Sequence, residues 1–173
     1  MSTIPSRHEL TVYADYHQFY VLDAGAALDA TGHPDFWTRE AFVRMLAVNP
    51  GIIGISTESG GEVRVTLHVE GTAPALDLAA WDHVVEAGLD VSTGRLIVCG
   101  CTQPREEGLQ VQVAPGRYRA RVCSGRLESV VDEQGDDHYA VFLWPADLPR
   151  VDADLSGVDV VKQWPKRRHP GPA

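Results

Sequence analysis

Apolar and polar side chains alternate residue by residue along most of this chain, and a period of two admits strands and little else. Val63, Val65, Leu67 and Val69 interleave with Glu62, Arg64, Thr66, His68 and Glu70. Leu109, Val111 and Val113 interleave with Gln110 and Gln112, and Tyr118, Ala120 and Val122 with Arg117, Arg119 and Arg121. Residues 8–23 read as two short strands broken near Tyr16, with Leu10, Val12 and Ala14 on one face of the first and His17, Phe19 and Val21 on one face of the second. Tyr13, Tyr16, Phe19 and Tyr20 give both faces large rings to pack. Segments that bury one face and wet the other must pair into sheets and stack those sheets on something.

Other periods are scarce. Residues 38–48 predict the one helix: Thr38 can cap it, Glu40 suits its first turn, and Phe42, Met45 and Leu46 share a face at i, i+3, i+4. Asn49-Pro50-Gly51 ends it. Residues 52–57, the turn Ser59-Gly60-Gly61 and residues 62–70 read as a hairpin. Residues 81–91 read as a strand, because Gly88 disfavours a helix, and Ser92-Thr93-Gly94 turns into a strand over 95–101. Ala114-Pro115-Gly116-Arg117 predicts a type II turn with positive φ at Gly116, closing a late hairpin. Residues 139–144 form a strand stopped by Pro145, residues 147–157 a polar connection, and residues 158–164 a last, weaker strand. About ten short strands with turns every 8–12 residues predict an all-β fold, a mainly antiparallel two-layer β-sandwich with one short α-helix inserted after the first two strands. A single domain over residues 8–164, with flexible tails at 1–7 and 165–173, fits the 173-residue length.

Charge narrows the partners. The chain has 15 basic and 24 acidic residues, a formal charge of −9. Three of the basic groups, Lys166, Arg167 and Arg168, lie in the last nine residues, so the rest carries 12 basic groups against 24 acids, or −12. Such a body repels phosphates and attracts a basic protein, which argues against nucleic acid as partner. No apolar run approaches the roughly 20 residues of a membrane-spanning helix, and the N-terminus lacks a signal-peptide core. Three cysteines, Cys99, Cys101 and Cys123, an odd number without a CxxC pair, suit a reducing cytoplasm.

Several clusters carry potential chemistry, each with a plainer alternative. Asp132, Glu133, Asp136 and Asp137 crowd one loop beside His138; they are solvated turn residues or an acidic patch that pairs with Arg and Lys of a partner. Arg117, Arg119 and Arg121 share a strand face, where they pair with acids such as Glu62 or Glu86 or, with Tyr16 and Trp81, line a small anionic-ligand site. Asp15 and His17, with His68 or His138, could begin a metal site; otherwise His17 is a packed, hydrogen-bonded histidine. Cys99 and Cys101 point the same way on a strand, yet no further ligand pair accompanies them, which favours inert buried thiols. No phosphate loop, nucleophile elbow or HExxH run is present, and no cofactor is expected.

The run from His8-Glu9-Leu10 to Tyr16-His17-Gln18-Phe19, then Phe36-Trp37-Thr38-Arg39-Glu40-Ala41, Gly51-Ile52-Ile53-Gly54-Ile55, the strand over 62–70 and Val113-Ala114-Pro115-Gly116-Arg117-Tyr118 together resemble the competence protein J family. That family includes a nuclease inhibitor, and the resemblance covers roughly residues 8 to 123. It implies a small β-rich protein without catalysis of its own that binds a nuclease. The expected function is therefore a non-catalytic, nuclease-inhibitor-like binding protein whose acidic surface blocks a basic partner. The alternatives are a small anionic-ligand-binding sandwich and, behind it, a metal-dependent enzyme.

Overall fold

The alternating segments do form strands, eleven of them among the residues that the computed structural model describes, 3–146 and 157–165. They are β1 Ser6–Tyr13, β2 Gln18–Asp23, β3 Leu46–Asn49, β4 Ile52–Ser56, β5 Glu62–Val69, β6 His83–Val91, β7 Arg95–Gly100, β8 Leu109–Gln112, β9 Gly116–Gly125, β10 His138–Pro145 and β11 Asp159–Lys162. One α-helix, α1 Arg39–Val43, follows the first two strands. A six-stranded sheet runs β1-β5-β10-β9-β6-β11 and a five-stranded sheet β3-β4-β2-β7-β8. All pairs are antiparallel except β5 with β10. The fold is an all-β sandwich with a single short α-helix among the described residues.

The sheets meet through the apolar halves of the alternating runs. Val63, Val65, Leu67 and Val69 join Val85, Leu89, Tyr118, Val122, Tyr139 and Val141 from the large sheet, and Phe19, Val21, Ile53, Ile55 and Val98 from the small one. Burying each such side chain contributes about 1.5–3 kcal/mol, so this interior dominates the stability. Both sheets also cover part of their outer faces. Residues 24–38 and α1 lay Phe36, Trp37 and Ala41 over Tyr20, Leu22, Ile97 and Cys99. Residues 71–82 lay Leu76 and Trp81 over Val84, Cys123 and Ala140.

The helix is shorter than its periodicity predicts. It stops at Val43, Met45 takes a φ of 60°, and Leu46 opens β3. Leu46, Ala47 and Val48 then pair with β4. Pro50 and Gly51, the latter at φ 72°, make the hairpin turn rather than a helix stop. The pairing expected across Ser59-Gly60-Gly61 is absent: β4 belongs to the small sheet and β5 to the large. Likewise residues 113–115 carry the chain from β8 in one sheet to β9 in the other, and Gly116, at φ 157°, is extended rather than a type II corner. Ser6 and Arg7, assigned to a tail by the sequence, begin β1. The last strand shrinks to β11, but Trp164 beyond it enters the core, its backbone N–H donating to Nδ1 of buried His83 at 3.0 Å. Most of the predicted polar connection, residues 147–156, and the basic residues of the tail lie outside the described residues. No described helix is long and apolar enough to cross a membrane.

Candidate functional site

Three connections gather at one end of the sandwich. Tyr13 ends β1 opposite Glu62 at the start of β5, and Gln18 starts β2 opposite Ser56 at the end of β4. Residues 14–17 and 57–61 therefore run side by side, and the β9–β10 loop over 126–137 reaches the same end. The backbone ties them together: Ala14 N–H donates to the Gly61 carbonyl at 2.8 Å, Thr57 N–H to His17 at 2.9 Å and Gly60 N–H to Glu133 at 3.1 Å.

The tip of the β9–β10 loop is a two-residue turn. Val131 and Gln134 exchange backbone hydrogen bonds of 2.8 and 3.1 Å, and the central residues Asp132 and Glu133 have φ of 51° and 67°. Positive φ at both centres is the type I′ geometry, which favours Asn-Gly or Asp-Gly. Asp132 suits it; Glu133 occupies the position that glycine would hold without strain. Tyr16 and His17 are also left-handed, at φ 54° and 58°. Each such residue costs on the order of 1–3 kcal/mol and persists where surrounding contacts over-determine it.

The strained residues present a mixed surface. Tyr16 is 72% exposed, Val131 64% and Tyr13 58%. Among them stand the exposed carboxylates Asp132, Glu133 and Glu62. His17 Nε2 lies 3.5 Å from Glu133 Oε1, and Gly60 makes that approach possible, since a Cβ there would fall 3.1 Å from both side chains. Between Tyr13, Ser59, Glu62 and residues 132–135 lies an open cleft of about 570 Å³.

Beneath the cleft, buried polar groups hold the loops. Asp137 accepts hydrogen bonds from Ser59 N–H at 3.0 Å, from the Ser59 hydroxyl and from the Tyr139 hydroxyl at 2.6 Å. The Tyr139 oxygen in turn accepts from Glu58 N–H at 2.8 Å, and Glu58 is itself fully buried. Burial, then the charge of Asp137, pushes the Tyr139 hydroxyl well above the usual tyrosine range. Ser59, on the 57–61 connection, is thus fastened to the stem of the acidic loop.

The four acidic residues singled out by the sequence therefore separate. Asp132 and Glu133 are exposed at the tip; Asp136 is exposed and 3.4 Å from Arg126; Asp137 is buried and structural. Parity foretells the last point, because Asp137 shares the inward phase of Tyr139 and Val141. Tyr13, Val131 and Glu62 are the site residues that sequence reasoning missed. Tyr13 and Glu62 occupy outward positions directly opposite each other, a register invisible before strand pairing is known.

The other candidates fall elsewhere. The arginine row occupies the outer face of the large sheet, and each member meets an acid: Arg117 to Asp90 at 3.8 Å, Arg119 to Glu86 at 3.2 Å and Arg121 to Glu86 at 2.8 Å. Arg121 lies over Trp144, 5.0 Å from its ring centre. Trp81 instead rests against His138, and Tyr16 projects from the loop end, so the anionic-ligand set does not converge. Asp15 binds the Tyr16 N–H and His17 faces Glu133, while His68 stacks on Phe142 on the outer sheet face. Among the described residues no three metal-ligating side chains come together. The three thiols are free; burial pushes Cys99 and Cys101 up to about 11 and Cys123 to about 12.

The same arrangement of strands occurs in a solved structure of ComJ, inhibitor of the DNA degrading activity of NucA, from Bacillus subtilis. It superposes with a TM-score of 0.64, covering 84% of this chain and 100% of that one, at 14% identity. This chain has the ComJ fold. The product of crocagin biosynthetic gene J also matches, at a TM-score of 0.51 and 19% identity, over 84% of this chain and 99% of that one. No protein-family model and no curated protein sequence matches the chain. At these identities the ComJ-like chains share a fold, and what this one binds must be argued from its own side chains.

Proposed function

We propose that this chain is a non-catalytic binding protein of the nuclease-inhibitor type, and that Asp132, Glu133 and Glu62, with Tyr13 and Tyr16 among them, occupy a cationic surface on a nuclease. The observation that carries the reading is the strained acidic tip. Glu133 holds a left-handed backbone that glycine would adopt freely, and its exposed carboxylate projects beside exposed tyrosines. Carboxylates can take the place of DNA phosphates against Arg and Lys, and tyrosines supply large contact area at small entropic cost. The fold shared with ComJ supports the same class of partner.

The test is affinity capture on the immobilised chain at low salt, followed by elution at raised salt and assay of the eluate for DNA degradation. A nuclease should be retained, be inhibited while bound and be released by salt. The D132N/E133Q double variant should lose most of the retention. An eluate without nuclease activity, or retention indifferent to the two substitutions, would overturn the proposal.

A further inference from the structure

The large sheet leaves its outer face open over β1, β5 and the start of β10, because residues 71–82 cover the part nearer β9 and β6. A groove of about 550 Å³ lies on the open part. Its polar walls are Arg7, Glu9 and Thr11 from β1, Arg64 and Thr66 from β5, and His138 from β10. Register builds it: Thr11 stands opposite Arg64, and Arg64 stands level with His138. Thr11, Arg64 and His138 thus stand level on three neighbouring strands, their backbones within about 10 Å, and the His138 ring leans over Gly125 of β9 to close the far side. Thr66, two residues along β5 on the same face, places a second hydroxyl in the trough.

The charges here differ from those on the rest of that face. Arg117, Arg119 and Arg121 each meet a carboxylate, and Arg7 is paired with Glu9 at 2.7 Å. The Arg64 side chain is exposed and makes no ion pair or hydrogen bond among the described residues; Thr11 and His138 stand level with it on the neighbouring strands, and the acids Glu62 and Glu9 stand one outward position along. His138, on the wall of the trough, is held in place against Trp81. A preorganised wall loses little entropy when a ligand binds.

We propose that Arg64, with the Thr11 and Thr66 hydroxyls and His138 as the far wall, forms a site for a small oxyanion, a phosphate monoester or a carboxylate. The guanidinium offers two parallel N–H groups to two oxygens of such a group. A chain of charge −9 repels an extended polyanion at long range, so the site suits a small ligand rather than a nucleic acid. It borders the loop-end cleft, because Tyr13 and Glu62 are the next outward residues after Thr11 and Arg64, but it shares no lining residue with that cleft and does not depend on the nuclease-binding proposal.

The test is a pair of NMR titrations of the full chain at low salt, one with inorganic phosphate and one with acetate, following the Arg64 side chain, the His138 ring and the Thr11 and Thr66 amides. Saturable shifts confined to these groups are expected. In R64Q, with its melting temperature unchanged, binding should weaken roughly tenfold, the factor that losing one charge-assisted hydrogen bond carries. R39Q, which removes the same charge from α1, should bind as the parent does. Saturation by phosphate alone assigns the phosphate monoester, and saturation by acetate alone the carboxylate. No saturation with either probe, equal binding by R64Q, or equal weakening in R39Q would overturn the proposal.

Discussion

Glu133 concentrates the tension between stability and function in one residue. Its φ of 67° places it where a type I′ turn takes glycine, and its side chain reaches a histidine and the mouth of a cleft. Exchanging Glu133→Gly should relieve roughly 1 kcal/mol of backbone strain, offset slightly by loss of the exposed contact to His17. We therefore expect unchanged or higher stability in urea denaturation together with weaker capture of a basic partner. A destabilised variant with full binding would show that the glutamate serves the fold. Asp137 shows the opposite division of labour. Four residues beyond Glu133 in the sequence it reads as one more acid, yet it accepts three hydrogen bonds in the interior.

Among the elements, the C-terminal strap around β11 is held by its ladder with β6, by Lys162 on the Leu78 and Trp81 carbonyls, and by one buried imidazole. His83 Nδ1 accepts from Trp164 N–H at 3.0 Å, and Nε2 lies 2.7 Å from the Arg44 carbonyl, which places its proton on Nε2. One ring thereby joins β6, the segment after α1 and the segment after β11. Replacing His83 with Leu leaves both backbone groups without this partner and should destabilise by about 2–4 kcal/mol. His83→Gln, which keeps a donor and an acceptor, should lose less. Equal stability of the two variants would show that the ring matters only by its bulk. The alternation that defines β5, β8 and β9 was legible from the side chains alone, as was the outward phase of the arginine row. The short helix misled for a physical reason: Phe42, Met45 and Leu46 have helical spacing, but Leu46 serves a strand once Met45 turns left-handed.

At the scale of the molecule, burial of weak acids sets an alkaline limit. Burial raises Cys99 to about 11 and Cys123 and Tyr20 to about 12, and lifts Tyr139 well above its ordinary value. In the unfolded chain thiols ionise near about pH 8.5 and tyrosines near about 10. The unfolded state therefore sheds protons first as pH rises. The stability these groups contribute is complete below the unfolded values and drains away toward the folded ones, at about 1.4 kcal/mol per pH unit for each fully buried thiol. Urea midpoints measured upward from about pH 8 should fall steadily, and a C99A/C123A variant should fall less steeply before the tyrosines titrate. A flat profile to about pH 11 would contradict the burial of these groups.

The side-chain order by itself determined that the chain is made mostly of strands, which face of β5, β8 and β9 meets the core, that a sandwich results, and that acids collect in the β9–β10 loop. These follow from period two and from composition, both local properties. Strand partners were decided only by the tertiary structure. The turns at 57–61, 92–94 and 113–115 look like hairpin corners, yet each carries the chain from one sheet to the other. A turn's residues fix its φ and ψ, whereas the choice of partner strand depends on which pairing closes the whole interior. For the same reason the loop-end cleft and the groove at Arg64 become visible only with the register, since their residues come from strands far apart in the chain.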